Sequence, residues 1–270
     1  MNATPSPVGS LLRKWRQARK MTQLELATEA EVSTRHLSFL ETGRSKPSSE
    51  MLLVLSSVLE VPLRERNALL AAAGFAAAYR ETDLNAPEMA PVRTIIDFML
   101  KQAEPYGAVV VDGCWNLLQA NASASLFTAA FVVDPAAVLA DGPPNLIRLL
   151  LHPKGVRDRC ANWEVLARAM VARLHRELAV THDAKLAKLL KQVLAYDGVP
   201  SDWRSLDVEA PSSLLLPMHM KHGPYDLQLY TAITSLGTAQ DITLQELRIE
   251  TFFPADDESD RQLRQLGAVN

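Results

Sequence analysis

The chain has 270 residues, 48% of them hydrophobic and 22% charged, with a net charge of −3. That is the composition of an ordinary globular protein of one or two domains, and no apolar run reaches the roughly 18 residues that a membrane-spanning helix requires. The opening MNATPSPVGS has no charged stretch followed by an apolar one, so a secretory signal is not expected. Cys114 and Cys160 lie far apart without metal or redox spacing, which fits free thiols and a cytoplasmic location.

The charge is uneven. Residues 1–80 carry eleven Lys/Arg against seven Glu, about +4, which leaves about −7 for the remainder. A basic head on an acidic body suits one domain that meets phosphate and another that repels it. Residues 8–20 predict a first helix, with Ser10 as its cap and Leu11, Leu12 and Trp15 on one face. The stretch QLELATEAEVSTRHLSFLETGRSKP, residues 23–47, then reads as two short helices across a tight turn. Leu26, Ala30, Val32, Leu37 and Leu40 are its apolar positions, and Ala27 is small where the helices must cross. Ser33 caps the second helix, Gly43 ends it in a left-handed conformation and Pro47 stops it. Such a pair is a helix-turn-helix, whose second helix enters the DNA major groove.

This stretch resembles the lambda-repressor-like (XRE-type) helix-turn-helix: a capping Ser, then Leu-x-x-Leu-Glu-x-Gly and a Pro over residues 33–47. The family often has Gly in the turn where this chain has Glu31, so a non-Gly residue at positive φ is expected there, strained by about 1–3 kcal/mol. Two more helices follow, at EMLLVLSSVLEV and from Leu63 to Ala73, giving a five-helix all-α domain over 1–80. Residues 81–91, with Pro87 and Pro91, read as a linker.

The second domain, 92–256, opens on the helix VRTIIDFMLKQ. Strands are expected over 107–111 and 115–119, then helices at 122–131, 145–151, 156–178 and 184–195. Leu214, Leu216, Met218 and Met220 alternate at strand spacing, as do Leu227, Leu229, Thr231 and Ile233 after the Gly223-Pro224 turn. Ile242 and Leu244 read as the start of a last strand whose phase slips at Gln245-Glu246, a β-bulge. Residues 257–270 read as an acidic tail, forming a short exposed helix. The fold class is α+β, with a five-stranded antiparallel sheet carrying helices on one face. This order resembles the PAS-like ligand-binding domain of MmyB-like transcription regulators, through Val111-Asp112-x-x-Trp115, Asn121, Asn145-Leu146-x-Arg148-Leu149, Asn162-Trp163-Glu164 and ELRIETFFPAD. The resemblance implies a pocket for a small apolar, fatty-acid-like molecule.

Base edges are read from the N-terminal end of a recognition helix, so Thr34, Arg35 and Ser38 are the candidates, with Ser33 as cap and His36 beside them. Arg35 suits a bidentate contact to guanine, and the alternative is a phosphate contact by the same side chain. Arg44 and Lys46 would neutralise phosphates, while Arg13, Lys14, Arg19 and Lys20 form a solvated face of which only some can reach DNA. From the family likeness, Gln23 would touch the DNA backbone and support the base-reading side chain, and Arg16 would pair with Glu41 across the domain. Pocket candidates are Trp115, Phe127, Trp163, Met170, Met218, Met220 and Phe252, any of which could instead be plain core.

His219 and His222 form H-x-x-H but project to opposite faces of a strand, so no metal site is expected. Cys114 is either a redox sensor or an inert thiol. No phosphate loop, nucleophile elbow or H-E-x-x-H occurs, so no catalytic set or cofactor is expected. The reading is therefore a DNA-binding regulator, homodimeric on duplex operator DNA, that senses a small apolar ligand and is not a membrane protein. The alternatives are a ligand-free dimerisation scaffold behind the same head, or an enzyme domain fused to it.

Overall fold

In the computed structural model, residues 6–181, 183–205, 215 and 217–268 are described. The chain forms two compact units, one made of residues up to Thr82 together with Gly237–Gln245, the other of Asp83–Leu236 with the rest of the C-terminal part.

The head holds five helices: Pro7–Ala18 (α1), Gln23–Glu29 (α2), Thr34–Glu41 (α3), Ser49–Val58 (α4) and Leu63–Ala72 (α5). Each start has a chemical cause. Ser6, not the expected Ser10, caps α1, because Pro7 needs no N–H partner at the first helical position and the Ser6 hydroxyl accepts from Gly9 N. Thr22 and Glu25 form a capping box on α2, while Ser33 and Ser48 cap α3 and α4. Glu31 has φ 55° in the turn between α2 and α3, and Gly43 closes α3 at φ 75°. Leu12, Trp15, Leu26, Ala27, Leu37, Leu40, Leu52 and Leu55 are buried together as the head's core.

The start of α5 has no side-chain cap of its own. Instead the Leu63 N–H donates to Gln245 Oε1 at 2.7 Å, and Thr82 donates through N and Oγ1 to Asp241 Oδ2 at 3.2 and 2.6 Å. The Ile242 N–H reaches Arg80 O at 2.8 Å. A segment far along the chain thus completes the head. Ile242–Glu246 (α12) is a short helix, where alternation predicts a bulged strand; the Asp241 carboxylate accepts from Thr243 N and so starts a helical turn.

The second unit begins with Ala90–Ala103 (α6), preceded by a 3-10 turn at Pro87–Met89, so the predicted linker is partly ordered into the helix entrance. Its sheet runs in the order β2-β1-β5-β4-β3, all antiparallel. The strands are Ala108–Val111 (β1), Leu117–Ala120 (β2), Met218–His222 (β3), Tyr225–Ser235 (β4) and Arg248–Pro254 (β5). The expected strand positions Leu214 and Leu216 lie outside the described residues.

Helices cover both faces rather than one. Ala108, Val110 and Ile249 pack with Ile96 and Leu100 of α6. Val109 and Val111 face the opposite way, into the main core. That second face is covered by Ala122–Phe131 (α7), Leu146–Leu151 (α9), Trp163–Thr181 (α10) and Ala184–Val193 (α11), with Pro135–Ala140 (α8) as a helix the periodicity missed. The long helix starts at Trp163, not near 156, because Arg157–Arg159 form a separate 3-10 turn. The C-terminal segment Asp257–Ala268 (α13) is more than an exposed tail: Ser259 and Leu263 are buried, and the Ser259 hydroxyl accepts from Gln228 N at 2.9 Å.

Asp112, Asn121, Asn145 and Asn162 carry the loops of this unit. Asp112 accepts from Cys114 N and Asn116 N, Asn121 from Ala108 N and Ala124 N, Asn145 from Ile147 N and Arg148 N, and Asn162 from His219 N. Each satisfies buried or partly buried backbone donors, and a fully buried one left unpaired would cost about 1–3 kcal/mol. These residues hold the fold and leave the cavity to apolar neighbours.

Candidate nucleic-acid interface and ligand cavity

The recognition helix α3 is held from behind by a buried ion pair. Arg16 Nε and Nη2 donate to the two Glu41 carboxylate oxygens at 2.7 and 2.9 Å, and Arg16 Nη1 donates to Met21 O at 2.8 Å. The Glu41 carboxylate beside it raises the Arg16 pKa, its hydrogen bond outweighing the desolvation that acts the other way. Gln23 Nε2 also donates to Glu41 Oε2, at 2.8 Å. One of the two Gln23 amide N–H groups is thereby committed inside the domain, which leaves the other N–H and the carbonyl oxygen for the role toward DNA that the resemblance implies.

On the outer face Arg35 is exposed, while Thr34, His36 and Ser38 are half-buried. The Ser33 hydroxyl accepts from His36 N at 3.1 Å, so it serves the helix start. Phe39, which sequence reasoning missed, sits between two cations: the guanidinium groups of Arg35 and Arg44 lie 5.3 and 5.8 Å from its ring centre. Arg35 and Phe39 are four apart on a helix, a signal available in the sequence. Lys46 is exposed beyond the helix, as are Arg13 and Lys14 on α1. Arg19 is engaged elsewhere, donating to Leu59 O and Glu60 O at the end of α4 at 2.8 Å each. The exposed cations of this region include Arg35, Arg44, Lys46, Arg13, Lys14 and Lys20.

In the second unit a cavity of about 140 Å³ lies between the sheet and the helices. Of the seven expected pocket residues, Trp115, Phe127, Met170, Met218 and Phe252 line it. Trp163 and Met220 do not. Trp163 is turned to donate Nε1 to Leu150 O at 2.7 Å and to sit under Arg157, whose guanidinium is 4.0 Å from its ring centre. Met220 is fully buried in the core near Cys160. Sequence reasoning missed Leu166, Leu229, Glu250 and the α13 residues Leu263 and Leu266 as lining.

One end of the cavity is built around Trp115, which adopts φ 65° and is fully buried. Arg173 and Arg248 flank its ring at 4.7 and 5.0 Å. Trp115 Nε1 donates to Glu177 Oε2 at 3.0 Å, and Glu177 Oε1 accepts from Arg173 and Arg248, also at 3.0 Å. The indole is thus clamped by a charge network that fixes the wall it presents. Cys114 beside it is half-buried, and burial, reinforced by Asp183 and Asp112, pushes its thiol up to about 12. So little thiolate argues for the inert reading over the redox sensor. His219 is committed to Asp226 at 2.6 Å, and no group of His, Cys, Asp and Glu able to hold a metal occurs among the described residues.

Comparison with known proteins agrees with these two parts. Residues 92–266 match the MmyB-like transcription regulator ligand binding domain, and residues 12–66 match a helix-turn-helix family. Transcriptional regulator ClgR of Mycobacterium tuberculosis is 41% identical over 56 residues, 21% of this chain and 50% of that protein. The uncharacterized HTH-type transcriptional regulator RghRB of Bacillus subtilis is 38% identical over 84 residues, 31% of this chain and 58% of that protein. The chain thus spans only about half the length of these relatives. The solved structure of an RNA-binding light-oxygen-voltage receptor aligns at 12% identity and a TM-score of 0.25, over 99% of this chain and 65% of that one.

Proposed function

The chain belongs to the MmyB-like transcription regulators, DNA-binding proteins with a ligand-binding domain, and we propose that it works in the cytoplasm as a homodimer whose operator affinity is set by a small apolar molecule. The observation that carries this reading is the cavity: an apolar space of about 140 Å³ in the very domain that matches the ligand-binding family. It is close in size to an engineered protein cavity of about 150 Å³ that takes up benzene. Its role is binding rather than catalysis.

A ligand regulates only if the DNA-competent and incompetent states bind it differently. The route open to such an effect is the β4–β5 connection. The chain leaves β4 at Ser235, packs Asp241 and Gln245 into the head, and returns at once to β5, which lines the cavity through Glu250 and Phe252. A ligand that moves those strand ends pulls on the segment that caps α5. For the dimer, Ile95 and Phe98 of α6 are 49% and 62% exposed, one helical turn apart, an apolar surface suited to a two-fold contact. Two half-sites supply the affinity that one helix-turn-helix lacks.

On DNA, Arg35→Ala should cost about 1–3 kcal/mol on the operator and relax preference at one base position per half-site. Arg44→Ala or Lys46→Ala should weaken all sequences alike and lower the salt slope by about one unit each. Binding to an operator selected from a random pool, measured across salt concentrations, separates the two classes. Equal loss on specific and random DNA for Arg35→Ala would make Arg35 a phosphate contact.

A further inference from the structure

Trp115, at the end of the cavity, is held by a strained backbone and a charge network. At φ 65° it occupies the left-handed region, which a bulky side chain rarely adopts and which persists only where the neighbours over-determine it. Those neighbours are charged. Glu177 accepts from the indole N–H, and the Arg248 guanidinium lies 5.0 Å from the ring centre while donating to the same carboxylate. One carboxylate thus joins the cavity wall to the first residue of β5.

Three residues before Arg248 stands Gln245, whose side chain has a different task. Its Oε1 accepts from the Leu63 N–H at 2.7 Å, in place of the side-chain cap that α5 lacks. The stretch between the two residues is short: Glu246 ends α12, and Leu247 is buried with Ile96 and Leu100 of α6. Within the head, α5 packs on α1, and α1 packs on the recognition helix α3.

We propose that Trp115, Arg248 and Gln245 form the line along which occupancy of the cavity reaches the DNA-binding head, with the Gln245–Leu63 hydrogen bond as its receiving end. The inference rests on the sensor reading above and names the residues by which that same cavity acts on operator affinity. A ligand that bears on the indole shifts the Glu177–Arg248 pairing at its edge. Arg248 carries the start of β5 with it, and Gln245 changes its hold on the first turn of α5. That turn responds because the first N–H groups of a helix have no partner within it. The two states are α5 capped and α5 uncapped by Gln245, and a ligand that prefers one of them shifts the population toward it.

The test uses the full-length chain with octan-1-ol as the probe. Operator affinity is measured by anisotropy of labelled DNA with and without saturating probe, and probe binding by calorimetric titration. The unaltered chain should respond by about fivefold or more, and by linkage operator DNA should change its affinity for octan-1-ol by the same factor. Gln245→Met removes the acceptor and keeps the length of the side chain. It should bind octan-1-ol normally, yet the probe should move its operator affinity by no more than about twofold, as for uncoupled sites. Arg248→Met, which leaves Glu177 paired with Arg173, should bind the probe and lose the response in the same way. Gln245→Glu keeps an acceptor for the Leu63 N–H and should respond by about fivefold or more again, which a general loss of head stability would not allow. A response that persists in Gln245→Met, or that is lost equally in Gln245→Glu, overturns this line while leaving the sensor reading intact. Failure of octan-1-ol to bind the unaltered chain, or to move its operator affinity, removes the sensor reading and the line with it.

Discussion

Glu41→Gln is expected to destabilise the head by about 3–5 kcal/mol without adding any base preference. Arg16 is 9% and Glu41 3% exposed, and two hydrogen bonds of 2.7 and 2.9 Å join them side by side. Removing the negative partner leaves a guanidinium desolvated beside a neutral amide, and Gln23 loses its charged acceptor at the same time. A buried pair of this kind costs much more to break than it contributes intact. For a unit of this size the loss corresponds to a fall of at least about 10 °C in the head's transition. Arg16→Met should show a similar but smaller effect, since it strands Glu41 yet fills the space. The measurement is amide hydrogen exchange on the full chain, because Gly237–Gln245 completes the head and a truncated fragment would lack it. Unchanged protection of α1, α2 and α3 in both variants would remove the structural role assigned to the pair.

Gly9→Ala should disturb the same region by a different cause. A Cβ on Gly9 would lie 2.4 Å from Leu40 O and 2.8 Å from Glu41 O, both backbone atoms at the end of the recognition helix. Neither can rotate aside, so α1 and α3 must separate. Overpacking of this sort costs typically about 1–3 kcal/mol, and fixed backbone on the far side places Gly9 at the upper end. Operator affinity should fall about tenfold, as the helix end carrying Arg44 shifts away from the DNA phosphates. Ser10→Ala is the control: Ser10 is exposed and does not cap α1, so its effect should stay within about 0.5 kcal/mol. Full operator affinity in Gly9→Ala would show that the two helices are free to slide.

The head was legible because its signals are local. Ser33, Gly43 and Pro47 each mark a boundary by their own backbone chemistry, and Glu31 sits at positive φ where the missing Gly implied it. What escaped was non-local or mixed in period. Ile242 and Leu244 alternate as in a strand, yet Asp241 caps a turn there, and its other bonds go to Thr82, far away in sequence. In β5 Glu250 shares its phase with the expected lining residue Phe252, but its charge argued against a place in an apolar wall. That strand is covered on both faces, so Glu250 points into the cavity. The acidic first turn of α13 concealed Leu263 and Leu266 two turns on. Trp163 failed as a lining residue because its indole N–H, invisible to periodicity, is drawn to Leu150 O. Pro135–Ala140 could have been found, since Asp134 followed by Pro is a helix-start signal.

The claim that this chain is a ligand-responsive DNA-binding regulator is tested most directly by operator affinity with and without a medium-chain alcohol or fatty acid, for the unaltered chain and for Met170→Trp. Met170 lines the cavity, and the larger ring should fill it while leaving the head unaltered. The unaltered chain should change its operator affinity by about 5–150-fold on saturation, the usual span of a coupling free energy of about 1–3 kcal/mol, and Met170→Trp should bind operator but not respond. An operator affinity that no such molecule moves in the unaltered chain would contradict the account and leave the second domain as a dimerisation scaffold.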